Sequence, residues 1–184
     1  MGYVEVNREL NADNPEEQKR LKEAFPKEDD IIHCKRPNNT VCYVKGRLQP
    51  SRSLGDLRLK YSEFNNPRNW GREYQFQPAL KTYTGPYINP HPEIKVFDLK
   101  PNHKWLIMAS DGLWEQMGRQ EVAQVFKSTP VKEVPGVLIE RCLEKAAAEN
   151  GMTVSEIKGK PQGKKRNIHD DISIVVVDLS QQRQ

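Results

Sequence analysis

Residues 105–115 read WLIMASDGLWE. The first five, Trp105–Ala109, form a continuous apolar run of strand length bounded by turn-forming residues, which predicts a central buried β-strand. A second run of strong β-propensity, ISIVVV, covers residues 172–177. Between the two runs, apolar residues at helical spacing predict helices at about residues 119–127 and 135–150. Strands that lead into two helices and then a last strand predict an α+β fold, with helices packed on an antiparallel or mixed sheet.

Acidic residues border these two strands at the ends that antiparallel pairing would bring together. Asp111 directly follows the first strand, and Asp170 and Asp171 directly precede the second. If the strands pair antiparallel, Asp111 and Asp170 lie together at one rim of the sheet, and Gly112 lets the backbone turn sharply there. Two adjacent carboxylates repel unless a cation lies between them, and Mg²⁺ or Mn²⁺ prefers such oxygen ligands. The alternative, common for acidic residues at strand ends, is that they are solvated turn residues.

The composition excludes several classes of protein. The chain has 184 residues and a formal net charge of +4, and its mean hydropathy is −0.82. No apolar run approaches the roughly 20 residues that cross a bilayer, so we expect no membrane partner. Membrane, collagen-like and disulfide-scaffold proteins are excluded. The low hydropathy indicates a domain that is polar, rich in loops or incomplete.

The cysteines and the first residues of the sequence indicate in which cellular compartment the protein is expected. Cys34, Cys42 and Cys142 are odd in number, widely spaced and without a metal-binding pattern, which predicts reduced thiols in a cytosol-like environment. No basic segment with an apolar core follows the first residue, so no signal peptide is predicted. We therefore expect an intracellular, cytoplasmic protein, with a mitochondrial location as the alternative.

The first half of the chain predicts a helix followed by short strands. A helix is expected over residues 15–25, with Asn14 as its N-cap and Glu17 completing a pattern like a capping box. Residues 31–49 predict two short strands around a turn at residues 36–39.

The next stretch changes from irregular to regular. Residues 60–92 contain five prolines and scattered aromatic residues, which predict a long irregular loop or flap. Its aromatics, which include Trp70, Tyr74 and Phe76, leave an aromatic ligand platform as the alternative. The alternation within Glu93–Leu99 then predicts a half-buried strand.

Five basic residues are concentrated within residues 158–166, among two glycines and a proline. The glycines and the proline predict a flexible loop without a helix. Nucleic-acid binding would favour aromatic residues interleaved with the basic ones, and this stretch has none. We therefore expect a solvated loop and no nucleic-acid partner.

Four segments resemble the motifs of the type 2C metal-dependent serine/threonine protein phosphatases, the PPM family. They occur in the family's order, at similar spacing. Residues 44–56, VKGRLQPSRSLGD, resemble its G-x-L-x-x-S-R-x-x-G-D motif, and residues 86–94, PYINPHPEI, resemble P-Y-V-x-x-x-P-E-I. Residues 106–115, LIMASDGLWE, resemble L-I-L-A-S-D-G-L-W-D, and residues 169–177, HDDISIVVV, resemble x-D-N-I-T-V-I-V-V.

This resemblance implies a fold, a metal centre and a reaction. The family fold is a β-sandwich of two antiparallel sheets flanked by helices, with two Mg²⁺ or Mn²⁺ ions at one end. By position, Asp111 and Asp170 would be metal ligands, and Glu115, one carbon longer than the family's Asp, would approach an additional site. Arg52 and Asp56 would fix an irregular flap at about residues 57–92. The length of that flap resembles the pyruvate dehydrogenase phosphatase-like branch.

The resemblance also implies that part of the family's domain is absent. The motif F-D-G-H-G, whose Asp bridges both metals, does not occur in this sequence. Residues 1–184 are therefore expected to form the carboxy-terminal portion of one phosphatase domain. That domain would hydrolyse phosphoserine and phosphothreonine in a phosphoprotein substrate, with the missing amino-terminal half as its other partner. The alternative is a phosphatase-like module without catalysis that binds a partner protein.

Overall fold

The computed structural model describes residues 2–35, 41–66, 68, 79–161 and 163–180. The chain divides into two compact units, each with its own apolar core. The first unit is Val6–Lys95, and the second is Val96–Gln184 together with Met1–Glu5. None of the described helices is both long and apolar enough to cross a membrane.

The first unit begins with helix α1, Pro15–Ala24. It starts as predicted, because Asn14 accepts a hydrogen bond from the backbone N–H of Glu16 and Pro15 occupies the first turn. The capping role predicted for Glu17 is wrong. Its side chain is buried, one helical turn before the buried Leu21, and it faces the interior instead of the N-terminus of the helix.

A hairpin follows α1, formed by strands β1, Ile32–Lys35, and β2, Val41–Val44. The two strands pair antiparallel as expected, and the predicted turn at residues 36–39 lies outside the described residues. Their register sets Cys34 opposite Cys42, and the two sulfurs form a disulfide. The prediction of reduced thiols is therefore wrong for this pair, because strand register, which the spacing alone did not reveal, brings the two side chains together.

The core of the first unit joins the helix, the hairpin and the residues after them. The Tyr87 ring contacts the rings of Phe25 and Tyr83, with centroids 5.0 and 5.2 Å apart. Between residues 57 and 92 the described backbone forms two 3₁₀ turns, Leu57–Leu59 and Ser62–Asn65, and is otherwise irregular. The predicted aromatic positions Trp70, Tyr74 and Phe76 lie outside the described residues.

The second unit contains the strand pair predicted from the two apolar runs. Strand β3 is Trp105–Ala109, and strand β4 is Ile174–Asp178. They pair antiparallel, with Ala109 opposite Ile174 and Trp105 opposite Asp178. Four helices lie between them in the chain: α2, Asp111–Trp114; α3, Arg119–Ser128; α4, Val134–Glu149; and α5, Val154–Gly159.

The two faces of the β3–β4 sheet have different surroundings. Ile107 and Val176 pack against the core formed by the helices, which includes Leu138 and Cys142 of α4. On the other face, Met108 and its cross-strand partner Val175 are 50% and 52% exposed. The prediction of a buried strand over Trp105–Ala109 is therefore wrong for Met108. Side chains alternate between the two faces of a strand, and only the face toward the helices is covered in the described structure.

Two local predictions also fail for physical reasons. The segment Glu93–Leu99 forms no strand, and Ile94 and Val96 are exposed. Its alternating pattern would need a neighbouring strand to pair with, and the described residues supply none. Residues 154–159 do form a helix, because Thr153 and Glu156 make a capping box and Gly159 is only its last residue.

Candidate metal centre

Hydrogen bonds bring the carboxyl-terminal end of β3 beside the start of β4. The Ser110 N–H donates to the Ser173 carbonyl at 3.0 Å, and the Ser110 hydroxyl donates to the Asp171 carbonyl at 2.8 Å. The Ser110 hydroxyl also accepts from the Ser173 N–H at 3.0 Å. Ser110 is thereby held against residues 171–173, as antiparallel pairing predicts.

Gly112 is required by how closely these segments approach. A Cβ atom at this position would lie 2.5 Å from the Asp171 carbonyl oxygen, much closer than a carbon atom can approach. The turn therefore requires glycine, as expected, and the reason is more specific than backbone freedom. The residue is small because the opposing backbone occupies the space that a side chain would need.

The carboxyl groups of Asp111 and Asp170 act electrostatically on Glu115 at this junction. Asp111 is the first residue of α2, and Glu115 follows the helix directly and donates its backbone N–H to the Asp111 carbonyl at 2.8 Å. Burial raises the pKa of Glu115, and the negative charges of Asp111 and Asp170 raise it further. Among the described residues, Asp170 pairs with Arg166, whose Nε lies 3.9 Å from Oδ1. The site is therefore acidic and only partly neutralised.

These side chains are of the type that binds a hard divalent cation, but they are too few to complete its ligand set. Carboxylate oxygens are the ligands that Mg²⁺ and Mn²⁺ prefer. Within the described residues, however, no three His, Cys, Asp or Glu side chains converge closely enough to form a complete metal site. Asp111, Asp170 and Glu115 thus offer part of a ligand set.

Arg52 and Asp56, the predicted flap residues, belong to the first unit. Arg52 donates from Nη2 to Glu17 Oε1 at 2.9 Å and from Nη1 to the His91 carbonyl at 3.4 Å. Asp56 has a left-handed backbone with φ of 48°, and its carbonyl accepts from the Leu59 N–H. Arg52 therefore links residues 51–53 to α1 and to the end of the flap.

Glu17 is a buried charge that sequence reasoning misplaced. Its Oε2 accepts from Ser51 Oγ at 2.6 Å and from Arg20 Nη2 at 2.7 Å. Burial alone would raise the pKa of Glu17, but the hydrogen bonds from Arg20, Arg52 and Ser51 outweigh it and lower the pKa to about 2. The position of Glu17 one turn before Leu21, on the apolar stripe of α1, was the available clue to its burial.

Comparisons with known proteins find relatives along nearly the whole chain. A family model described as protein phosphatase 2C matches residues 3–151. The chain is 33% identical to "Probable protein phosphatase 2C 79" of Arabidopsis thaliana, over 96% of this chain and 44% of that protein. It is 32% identical to "Probable protein phosphatase 2C 28" of Oryza sativa subsp. japonica, over 96% of this chain and 42% of that protein.

The chain belongs to the protein phosphatase 2C family, and the resemblance read from its motifs is confirmed. Its mixed helices and antiparallel strand pairs agree with the predicted α+β class. It spans less than half the length of the curated relatives that it matches. Asp111 lies within the residues matched by the family model, whereas Asp170 lies beyond them, in the part covered by the relatives.

Proposed function

We propose that this chain supplies one part of the metal centre of a protein serine/threonine phosphatase. Asp111 and Asp170 would hold Mg²⁺ or Mn²⁺, and Glu115 would approach an additional ion. The proposal is carried mainly by the coupling of these three carboxyl groups at the junction of β3 and β4. When bound, such an ion acidifies a coordinated water and offsets negative charge on a phosphoryl group.

The residues around the site would keep the carboxylates in place. Ser110 ties the end of β3 to Asp171 and Ser173, and Gly112 allows the contact with the Asp171 backbone. Asp111 Oδ1 also accepts from the Gly112 N–H at 3.0 Å, which restricts its side chain. These interactions fix Asp111 at the start of α2 and hold the backbone of Asp171 and Ser173 against the end of β3.

Hydrolysis would further require an amino-terminal half that completes the two-ion centre. Two observations support this requirement. The described residues contain no complete metal site, and the chain covers only 44% of a relative of its own family. The exposed apolar residues Met108 and Val175 on the β3–β4 sheet offer surface on which such a half would pack.

Activity of the joined protein tests this function. The 184-residue chain alone should hydrolyse a phosphothreonine peptide little in Mn²⁺, and the chain joined to its amino-terminal half should hydrolyse it readily. Asp111→Asn or Asp170→Asn should then lower kcat by about a hundredfold or more, because each removes an anionic ligand of the ions. Asp178→Asn, at the far end of β4, is the matched control and should leave kcat unchanged.

Mn²⁺ binding separates the phosphatase from its alternative. Titration calorimetry on the joined protein should show Mn²⁺ binding that Asp111→Asn and Asp170→Asn weaken and Asp178→Asn does not. A joined protein that binds Mn²⁺ yet fails to hydrolyse phosphopeptides would contradict catalysis. A module that binds a partner protein would then be the better assignment.

A further inference from the structure

One charged feature has no role in the metal centre, although it directly precedes Asp170 in the chain. We call residues 158–166 the basic segment. It carries five cationic side chains and no acidic one: Lys158, Lys160, Lys164, Lys165 and Arg166. Such a run is commonly a solvated surface, so its placement in the fold decides whether it has a further use.

The structure folds this segment back toward Asp170. Its first two residues end α5, and Lys165–Asn167 form a 3₁₀ turn. The Lys165 carbonyl accepts from the N–H groups of Ile168 at 2.8 Å and His169 at 3.1 Å. Arg166 then lies within 3.9 Å of Asp170. Arg166, the last residue of the segment, therefore lies beside the proposed metal ligand.

Both ends of the basic segment line one pocket of about 200 Å³. Lys158 and Lys165 contribute its cationic side chains, His169 contributes an imidazole, and Asp171 contributes one carboxylate. The remaining wall consists of aliphatic side chains from α4, from α5 and from the residue after Asp171. A cationic rim over an aliphatic wall suits a ligand with a short apolar stem and an anionic end.

The cations differ in how far the protein neutralises them. Lys158 pairs with Glu140 at 2.7 Å, and Lys160 acts electrostatically on Glu156. Lys164 and Lys165 have no ion-pair partner within the part of the chain that the structure describes. These two lysines are the charges available to an incoming anion.

We infer that the basic segment binds acidic side chains that flank the phosphorylated residue of a protein substrate. This inference rests on the proposed phosphatase function and names its substrate class: phosphoproteins in which glutamate or aspartate lies near the phosphoserine or phosphothreonine. The stem and carboxylate of a glutamate match the aliphatic wall and the cationic rim of the pocket. A nucleic acid is the poorer match, because the segment has no aromatic side chain on which a base could stack.

Peptide binding to the 184-residue chain tests the inference without requiring catalysis. Two fluorescent phosphothreonine peptides would be compared by anisotropy, one flanked by glutamates and the other by glutamines. The glutamate peptide should bind about tenfold more tightly at low salt, because several weak ion pairs add up. The difference should shrink at high salt, where exposed charges are screened.

Charge-reversal variants place the effect on the basic segment. Lys164→Glu with Lys165→Glu should abolish the preference for the glutamate peptide. Lys127→Glu with Lys132→Glu changes the net charge equally, at exposed positions elsewhere in the second unit, and should keep it. Lys164→Gln with Lys165→Gln should also lose the preference, which guards against misfolding caused by the reversed charges. Circular dichroism melts would confirm that each variant folds.

Three outcomes would overturn the inference: equal binding of both peptides, equal loss of preference in the control variant, or tighter binding of a uridine-rich RNA of the same charge. The last would indicate a nucleic-acid partner. In an active joined protein, Lys164→Glu with Lys165→Glu should raise KM for the glutamate peptide and spare kcat, and an unchanged KM would also overturn it. If the joined protein is inert, the phosphatase proposal fails. The peptide-binding measurement still tests whether the basic segment binds acidic side chains.

Discussion

At the scale of single residues, Glu17 shows how one buried charge organises a unit. It lies on α1, yet its partners Ser51 and Arg52 lie 34 and 35 residues further along the chain. A glutamate in the first turn of a helix is usually a solvated or capping residue, so the sequence alone favoured the wrong role. Only the folded chain shows that two guanidinium groups and a hydroxyl converge on it.

Replacing Glu17 should change both stability and its dependence on pH. The ordinary pKa of 4.5 falls to about 2 in the folded chain. The ionised form therefore stabilises the fold above pH 4.5, by about 3 kcal/mol, and this stabilisation is lost as the pH falls from 4.5 to 2. Glu17→Gln should cost about 3–5 kcal/mol at pH 7, because two guanidinium groups lose their buried partner.

Urea denaturation at pH 7 and pH 3 measures both effects. Glu23→Gln, at an exposed position of the same helix, is the control and should change the free energy of unfolding little. Equal losses for the two variants at pH 7 would contradict the role of Glu17. So would a Glu17→Gln protein that loses as much stability between pH 7 and pH 3 as the original chain.

At the scale of elements, the turn from β3 into α2 holds the candidate site together. Gly112→Ala should destabilise the chain by about 1–3 kcal/mol, because its Cβ would overlap the Asp171 carbonyl oxygen and push the strand ends apart. Gly136→Ala is a suitable control, because it lies in α4 with nothing within 4 Å. That substitution should stabilise the helix by about 0.5–1 kcal/mol.

Hydrogen exchange would show where the Gly112→Ala change acts. The backbone amides of Ser110 and Ser173 donate hydrogen bonds across the junction. They should exchange faster in Gly112→Ala than in the original chain, and at the original rate in Gly136→Ala. If Gly112→Ala left both the free energy of unfolding and these amides unaffected, the close approach would not constrain the junction.

The strand pair and the segment before it show what the sequence can and cannot predict. The bounds of β3 and the presence of an antiparallel partner were predictable, because both are short apolar runs next to turn residues. The partner strand itself is Ile174–Asp178 and not residues 172–177. The expectation that Asp111 and Asp170 lie at the same end of the strand pair followed from that pairing. The segment Glu93–Leu99 has a similar apolar pattern and forms no strand. A strand depends on a neighbour to bond with, and local sequence does not reveal whether that neighbour is present.

At the scale of the whole molecule, the low mean hydropathy of −0.82 has a structural counterpart. The chain divides between two units with separate small cores. One face of the β3–β4 sheet remains uncovered within the described residues, although it carries Met108 and Val175. An apolar sheet face usually packs against another layer of structure. This chain aligns with only 44% of the length of one relative, so the relative contains more chain than is present here.

Oxidation of methionine should report on the covering of that face. In the 184-residue chain, dilute peroxide should oxidise Met108 readily, because its side chain is half-exposed, and should spare Met117, which is buried. Joining the amino-terminal half should slow the oxidation of Met108 at least severalfold and leave that of Met117 slow. Peptide mass spectrometry measures both residues in one sample. Undiminished oxidation of Met108 in an active joined protein would contradict packing of the amino-terminal half on this face.

The cysteine arrangement has a practical consequence for labelling. Two of the three thiols are joined between β1 and β2, and the third, Cys142, lies fully inside the helical core, where burial raises its pKa. The folded chain thus presents no reactive thiolate at its surface. A cysteine introduced at an exposed position such as Lys164 would be the sole accessible thiol for a maleimide dye or crosslinker. The unmodified chain would then be the control that shows how much label attaches without the introduced cysteine. A dye at that position would report on binding near the basic segment.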